Sequence, residues 1–346
     1  MPPRRFLSPA GLLAGIVLLW LASVPLSCLG GPVSLTLPEI WSVFAGMAGF
    51  GESGVDPVAC SIISEIRLSR AVLALLCGGT LAVAGVALQG VLRNPLADPF
   101  TLGISSGAAC GASIAIALGG SLGLTVRLGA NGMSLISLCA LAGALLALAG
   151  TLWLGRGDGG FRRETVILAG IAMSAFLGAL VALIKALNEE SVTSIVFWIM
   201  GSLQGRGWQA LPLLLLTLLP GLLAVALHWR ALDVLALGDE QAAQVGLHVG
   251  RARFWLLAGA SCMTAGCVAV TGVIGFVGLV VPHLLRLRLG VRHAPLLIGA
   301  FFGGGILLLW ADVLARGVLD GGRELPVGVV TSLLGGPFFG VMLRRR

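Results

Sequence analysis

Few residues in this chain carry chemistry, and their spacing limits what that chemistry can be. The only lysine is Lys185, flanked by Ile184 and Ala186. A P-loop ends in Gly-Lys-Ser/Thr because its lysine must reach the phosphates. The chain therefore has no Walker A site, and any ATP hydrolysis is expected on a separate subunit. Gly103-Ile-Ser105-Ser-Gly107 fits G-x-S-x-G by letter. That nucleophile motif needs a strand, a turn and a helix, with acid and histidine partners. Here it opens an apolar stretch in which Gly103, Gly107 and Gly111 recur every four residues, the spacing of a small-residue packing stripe between helices. The histidines, His228, His248, His283 and His293, form no H-E-x-x-H or similar metal-ligand pair. His283 follows Pro282, where a packed or interface role is simpler than a pore role. No catalytic, cofactor or metal site is expected.

The seven cysteines form no C-x-x-C pair. Most lie in apolar runs, where cysteine behaves as a small hydrophobe. A disulfide between Cys28 and Cys60, both near the expected outer face, stays open. Three charged groups need an explanation. Asp312 and Arg316 are four apart and share a helix face. A lone charge at mid-bilayer costs about 2.5–3.5 kcal/mol on insertion scales, so the two are expected to pair, with Arg316 also reaching the outer interface as a docking charge. Arg67 and Arg70 stand at the outer end of an apolar stretch. They either snorkel or present planar forks to carboxylates of an external partner. The segment 230–253 is longer than a connector needs. Asp239 and Glu240 suit a helix start and Gly246 its stop, which makes a short helix with a small Ala242/Ala243 surface. A knob seated in a partner's groove is the expected role.

The elements that position these residues are set by composition. The chain is 57% hydrophobic and 11% charged, with a mean hydropathy of +1.02; soluble chains carry about 25% charged residues. Within a bilayer every backbone polar group must be paired internally, which leaves helices or closed barrels. Long unbroken apolar runs select helices. About 20 apolar residues cross the hydrocarbon core, and the sequence predicts ten such spans, at 7–29, 68–91, 100–120, 131–154, 165–187, 209–229, 254–273, 275–289, 295–318 and 326–343. The eighth is short and Gly/Pro-rich, and 194–204 reads as an outer half-helix. The N-terminal apolar segment, although it follows Arg4 and Arg5 like a signal peptide, is long enough to be a retained first span.

Fifteen of the 22 basic residues fall in alternate connections if the N-terminus is cytoplasmic, among them Arg4, Arg5, Arg93, Arg156, Arg162, Arg163, Arg230, Arg251, Arg253, Arg286, Arg288, Arg292 and Arg344 to Arg346. The positive-inside rule then places both termini in the cytoplasm. The formal charge of +7 is a topology signal, and no nucleic-acid partner is expected. No soluble domain is evident, so 1–346 reads as a single all-α transmembrane domain in contact with lipid, with 230–253 as its cytoplasmic coupling segment.

Arg67-Leu-Ser-Arg70, Leu88-Gln-Gly-Val-Leu-Arg-Asn-Pro-Leu-Ala-Asp-Pro99, Leu102-Gly-Ile-Ser-Ser-Gly107, Leu237-Gly-Asp-Glu240, Gly275-Phe-Val-Gly-Leu-Val-Val-Pro-His283, Ala311-Asp-Val-Leu-Ala-Arg316 and Glu324-Leu-Pro-Val-Gly328 together resemble the FecCD family of importer permeases, from about residue 60 to the end. The resemblance implies ten helices per subunit in the bacterial inner membrane and a homodimer with its translocation path at the interface. It also implies two cytoplasmic ATP-binding subunits and a periplasmic substrate-binding protein. By motif position, Arg67, Arg70 and Arg316 would meet acidic residues of that binding protein. Gly238, Asp239, Glu240, Ala242, Ala243, Gly246 and Arg251 would seat on the ATPase. The family's cargoes rank iron–siderophore first, then haem, then cobalamin. Two other classes compete: an intramembrane enzyme acting on lipid-linked substrates would need paired acids or a histidine cluster in the membrane, and a passive channel leaves the inner knob without a purpose.

Overall fold

The computed structural model describes residues 8–31, 33–50, 54–122, 127–128, 133–157, 160–161, 163–319 and 321–344. Residue 7, residues 131–132 at the start of the fourth predicted span, and Arg4, Arg5, Arg162, Arg345 and Arg346 lie outside them. Two-residue antiparallel ladders pair Arg127–Leu128 with Met133–Ser134 and Arg156–Gly157 with Gly160–Phe161. Everything else of regular structure is helical.

Helix α1 (Pro9–Ser27) is followed by α2 (Leu37–Met47) and α3 (Pro57–Ser61), which runs through a π-helical turn (Ile62–Leu68) into α4 (Ser69–Leu92). Then come α5 (Ile104–Leu122), α6 (Leu135–Gly155), α7 (Arg163–Leu187), the short α8 (Val192–Ile199) and α9 (Leu211–Leu227). Two short helices, α10 (Trp229–Leu235) and α11 (Asp239–Gln244), precede α12 (Val249–Thr271), α13 (Val277–Leu289), α14 (His293–Gly317) and α15 (Val327–Arg344). Among the described residues seven helical stretches are long and apolar enough to cross a membrane, and the shorter Ile104–Gly119 and Val327–Met342 are also apolar.

Helix α4 is the hub. It packs against α14, α12, α13 and α9, and almost all of its side chains are buried. Small residues make that closeness possible, as expected where lipid removes any hydrophobic drive between helices. A methyl group on Gly78 would meet the Gly304 carbonyl oxygen of α14 at 2.3 Å. Helices α5 and α6 approach in the same way through Gly107, facing Gly143, and Gly111, facing the Cys139 carbonyl. Gly103 works differently: it precedes α5 in a left-handed turn (φ +79°) against Met173 of α7. The expected stripe of three is thus a packing pair plus a turn. Gly111→Ala would set a methyl 2.0 Å from the Cys139 oxygen. Forcing these helices apart is expected to cost about 1–3 kcal/mol, read as a lower unfolding temperature in detergent.

Most predicted boundaries shift by a few residues, and two shifts bear on the site residues. The second helix begins at Pro57 rather than 68, because Arg67 and Arg70 find partners inside the protein and do not terminate it. Helix α12 begins at Val249 rather than 254, so Arg251 and Arg253 lie in its first two turns and the coupling segment ends at His248. That segment holds two short helices where one was expected. Helix α2 was not foreseen. Its signature is Thr36-x-x-Glu39, a capping box in which the Thr36 N–H and hydroxyl both donate to Glu39 Oε2 at 2.7 Å. Cys28 and Cys60 are not joined by a disulfide.

Candidate functional site

At one end of the bundle, α10 and α11 form a compact projection built on buried Leu232, Leu235 and Ala242. Gly246, in a left-handed conformation (φ +90°), ends α11 and lets the Leu247 N–H reach back to the Ala242 carbonyl at 3.0 Å. Three ties hold the projection to the bundle. Arg253 Nη2 of α12 donates to both Asp239 carboxylate oxygens, at 2.9 and 3.0 Å, and its Nη1 donates to the Phe161 carbonyl before α7. Arg93, just past α4, donates to the Ala236 carbonyl at 2.8 Å. Asp233 accepts from the His293 N–H at 3.0 Å and meets its Nδ1 at 2.6 Å, at the start of α14. The projection is therefore rigidly coupled to the ends of three major helices.

Its outer face exposes two large apolar side chains among polar ones. Leu237 is 62% exposed and Val245 72%, with Ala243, Glu240, Gly246 and Arg251 beside them. The expected set splits: Gly238 and Ala242 are buried, and Asp239 is committed to Arg253. Ala242 at 0% exposure offers no surface to a partner, which corrects the expected Ala242/Ala243 patch. Leu237 and Val245 are the large apolar side chains exposed there. The segment also carries Leu232, Val234, Leu235, Leu247 and Val249, so nothing in the sequence marks these two as the exposed ones.

The opposite end holds a buried ion cluster. Arg70 Nε and Nη2 grip Asp312 at 2.9 and 2.8 Å, and its Nη1 and Nη2 reach Glu324 at 3.1 and 2.8 Å. Arg316 Nε lies 3.2 Å from Asp312 Oδ2, one turn along α14, and its Nη1 donates to the Gly30 carbonyl at 3.2 Å. Arg67 donates to the carbonyls of Cys28 and Val33. The predicted pairing of Asp312 with Arg316 is present, widened by Arg70 and Glu324. Arg67, Arg70 and Arg316 are only 4%, 6% and 7% exposed, and Asp312 is fully buried. Their forks are occupied within the chain, so in this conformation they present no charge to an external carboxylate. The geometry makes them a clasp that joins the end of α1 and the starts of α4 and α15 to α14.

Three chain breaks converge. Gly201 after α8 and Gly272 after α12 both take left-handed turns, the Ser202 N–H donates to the Thr271 carbonyl at 2.7 Å, and the Gly328 N–H at the start of α15 donates to the Gly201 carbonyl at 3.2 Å. The half-length α13 that follows is pinned to α4 by Gln89, whose Nε2 donates to the Gly278 carbonyl at 2.9 Å and whose Oε1 accepts from Arg286. His283 on α13 stands edge-on to Phe338 of α15, ring centroids 6.0 Å apart.

Asp98, in the connection before α5, caps a 3-10 turn by accepting from the Phe100 N–H at 3.0 Å. Burial pushes its carboxyl from 3.8 up to about 6, against the lowering effect of that hydrogen bond. The folded state therefore holds the proton more tightly than the unfolded chain. Stability is expected to fall as pH rises from about 4 to about 6, by at most about 3 kcal/mol. Asp98→Asn keeps an acceptor for Phe100 and removes the charge. Unfolding temperatures between pH 4.5 and 7.5, about the range of interest, should show a flatter profile and higher stability at neutral pH for the variant.

Residues 16–345 match the FecCD transport family. The chain belongs to the FecCD transport family. It is 38% identical to the hemin transport system permease of Yersinia pestis, over 97% of this chain and 96% of that one. It is 36% identical to a cobalamin import system permease of Halobacterium salinarum (90% and 80% covered) and 34% identical to a molybdate import system permease of Haemophilus influenzae (96% and 95%). A solved ABC transporter described as of metal-chelate type, in an inward-facing conformation, superposes with a TM-score of 0.82 at 31% identity, covering 97% of this chain and 99% of that one. The FecCD family consists of ABC transporter permeases, transport subunits without enzymatic activity of their own, and this multi-pass helical chain is one of them.

Proposed function

We propose that this FecCD-family chain is the permease subunit of a binding-protein-dependent ABC importer in a bacterial inner membrane. It crosses the bilayer ten times with both termini in the cytoplasm, and two copies enclose the path at their interface. The observation that carries the reading is the rigid projection of α10 and α11 with its exposed Leu237 and Val245. Ion pairs and hydrogen bonds fix it to α12, α14 and the end of α4. A channel or an intramembrane enzyme gains nothing from such a lever. Two cytoplasmic ATP-binding subunits would receive it in a groove, and their closure on ATP would move the attached helices. The break at Gly201, Gly272 and Gly328 offers the hinge, in keeping with discontinuous helices at the working parts of transporters.

The orientation is supported by the two ends of the bundle. Arg93, Arg156, Arg253, Arg286 and Arg292 gather at the projection's end, as the positive-inside rule requires of a cytoplasmic face. The exposed apolar faces of α7 (Ile171, Phe176), α8 (Phe197) and α15 (Leu333, Leu334) are offered to the second copy. A periplasmic binding protein would deliver the cargo, docking at the clasp end by surfaces other than the buried arginine forks. An iron–siderophore complex is the first cargo to test, then haem and cobalamin; the molybdate relative adds an oxyanion. Proteoliposomes holding the permease, its ATP-binding subunit and its binding protein should accumulate one of these with ATP and none without it. Equal accumulation with and without ATP would refute the importer and favour the channel.

A further inference from the structure

The surface between α9 and α14 has an apolar groove that the transport reading does not use. It encloses about 490 Å³ and is floored by Val83 of α4, with Leu222 and Ala226 on one wall and Leu297, Ile298 and Phe302 on the other. In a bilayer such a groove cannot hold water, because its walls offer no partner for a water's hydrogen bonds. Left empty, it would forfeit the dispersion contacts of all its lining atoms.

The groove's length and its mouth identify the occupant. From Ala294 to Phe302 the α14 wall runs eight residue steps, about 12 Å, close to the ~15 Å of hydrocarbon in one leaflet. Trp229 lines the end nearest the projection. An indole there suits the headgroup level, apolar on one side and hydrogen-bonding on the other. Arg230 stacks over that ring at 5.3 Å and is exposed, and Arg292, also exposed, stands two residues before Ala294. The Asp233–His293 contact brings the two arginine-bearing segments together. Two exposed arginines thus flank the open end of an apolar slot one leaflet deep. We propose that this groove is a site for one anionic phospholipid of the leaflet at the projection's end, its acyl chain along α9 and α14 and its phosphate between Arg230 and Arg292. Because the site touches both the root of the projection and the start of α14, the lipid would steady the helix that bears His293.

Native mass spectrometry of the detergent-purified permease, titrated with phosphatidylglycerol and with phosphatidylethanolamine, tests this directly. The wild type should hold one phospholipid per chain and prefer the anionic one by about thirtyfold, the scale that two surface arginines give. Ala226→Trp, which fills the slot from its exposed wall, should lose the bound lipid. Arg230→Gln with Arg292→Gln leaves the slot intact and should keep a lipid while losing the preference. Equal lipid occupancy in the wild type and Ala226→Trp would overturn the proposal. So would a wild type with no headgroup preference, or an Ala226→Trp change that alters the number of chains in the particle and not its lipid content, which would mean a second copy covers the groove.

Discussion

Asp312→Ala is expected to destabilise the folded chain by about 3–5 kcal/mol, the largest single-residue effect in the molecule. The carboxylate is fully buried and answers two guanidinium groups, Arg70 from α4 and Arg316 from its own helix. Removing it leaves Arg70 with Glu324 alone and Arg316 with backbone carbonyls. The loss comes mainly from stranding buried charge, and less from losing the attraction itself. A sharper expectation follows. Replacing Asp312, Arg70, Arg316 and Glu324 together by leucine should recover much of the stability lost in Asp312→Ala, since a well-packed apolar substitute for a whole buried ion cluster is often neutral. Denaturant or thermal unfolding in detergent measures both. An Asp312→Ala variant as stable as the wild type would mean the cluster is wet and the clasp is not a structural tie.

Leu237→Glu with Val245→Glu should abolish binding of the ATP-binding subunit while leaving the permease folded. Both residues are exposed, so the fold does not need them. If they anchor in a partner's groove, each is worth about 2 kcal/mol or more, some thirtyfold in affinity apiece. Ala242→Glu makes the contrasting control. Ala242 is fully buried on the inner face of α11, so a carboxylate there should unseat the projection and lower stability as well as binding. Titrating the ATP-binding subunit onto the purified permease, with circular dichroism of each variant, separates loss of docking from loss of structure.

Composition and apolar run length made the helical membrane class legible, and Asp239, Glu240 and Gly246 marked the ends of α11 correctly. Spacing of four brought Asp312 and Arg316 together. What the sequence hid was long-range. Arg70 and Asp312 are 242 residues apart, and no local rule pairs them, so an arginine at a helix end read as surface-seeking when it is buried. The six residues of α11 are too few for hydrophobic periodicity to say which alanine faces inward. Arg253 looked like part of a polar connection because its charge is visible in sequence and its partners, Asp239 and the Phe161 carbonyl, are not. The capping box at Thr36 and Glu39, by contrast, was readable and overlooked.

On the proposed function, a separate ATPase seated on the projection of α10 and α11 drives this permease. Native mass measurement of the permease co-expressed with its candidate ATP-binding subunit tests it most directly. A particle of two permease chains and two ATP-binding subunits is expected, and it should fall apart when Leu237 and Val245 are both changed to glutamate. A permease that never retains an ATP-binding subunit, or a Leu237/Val245 variant that retains it as the wild type does, would contradict it.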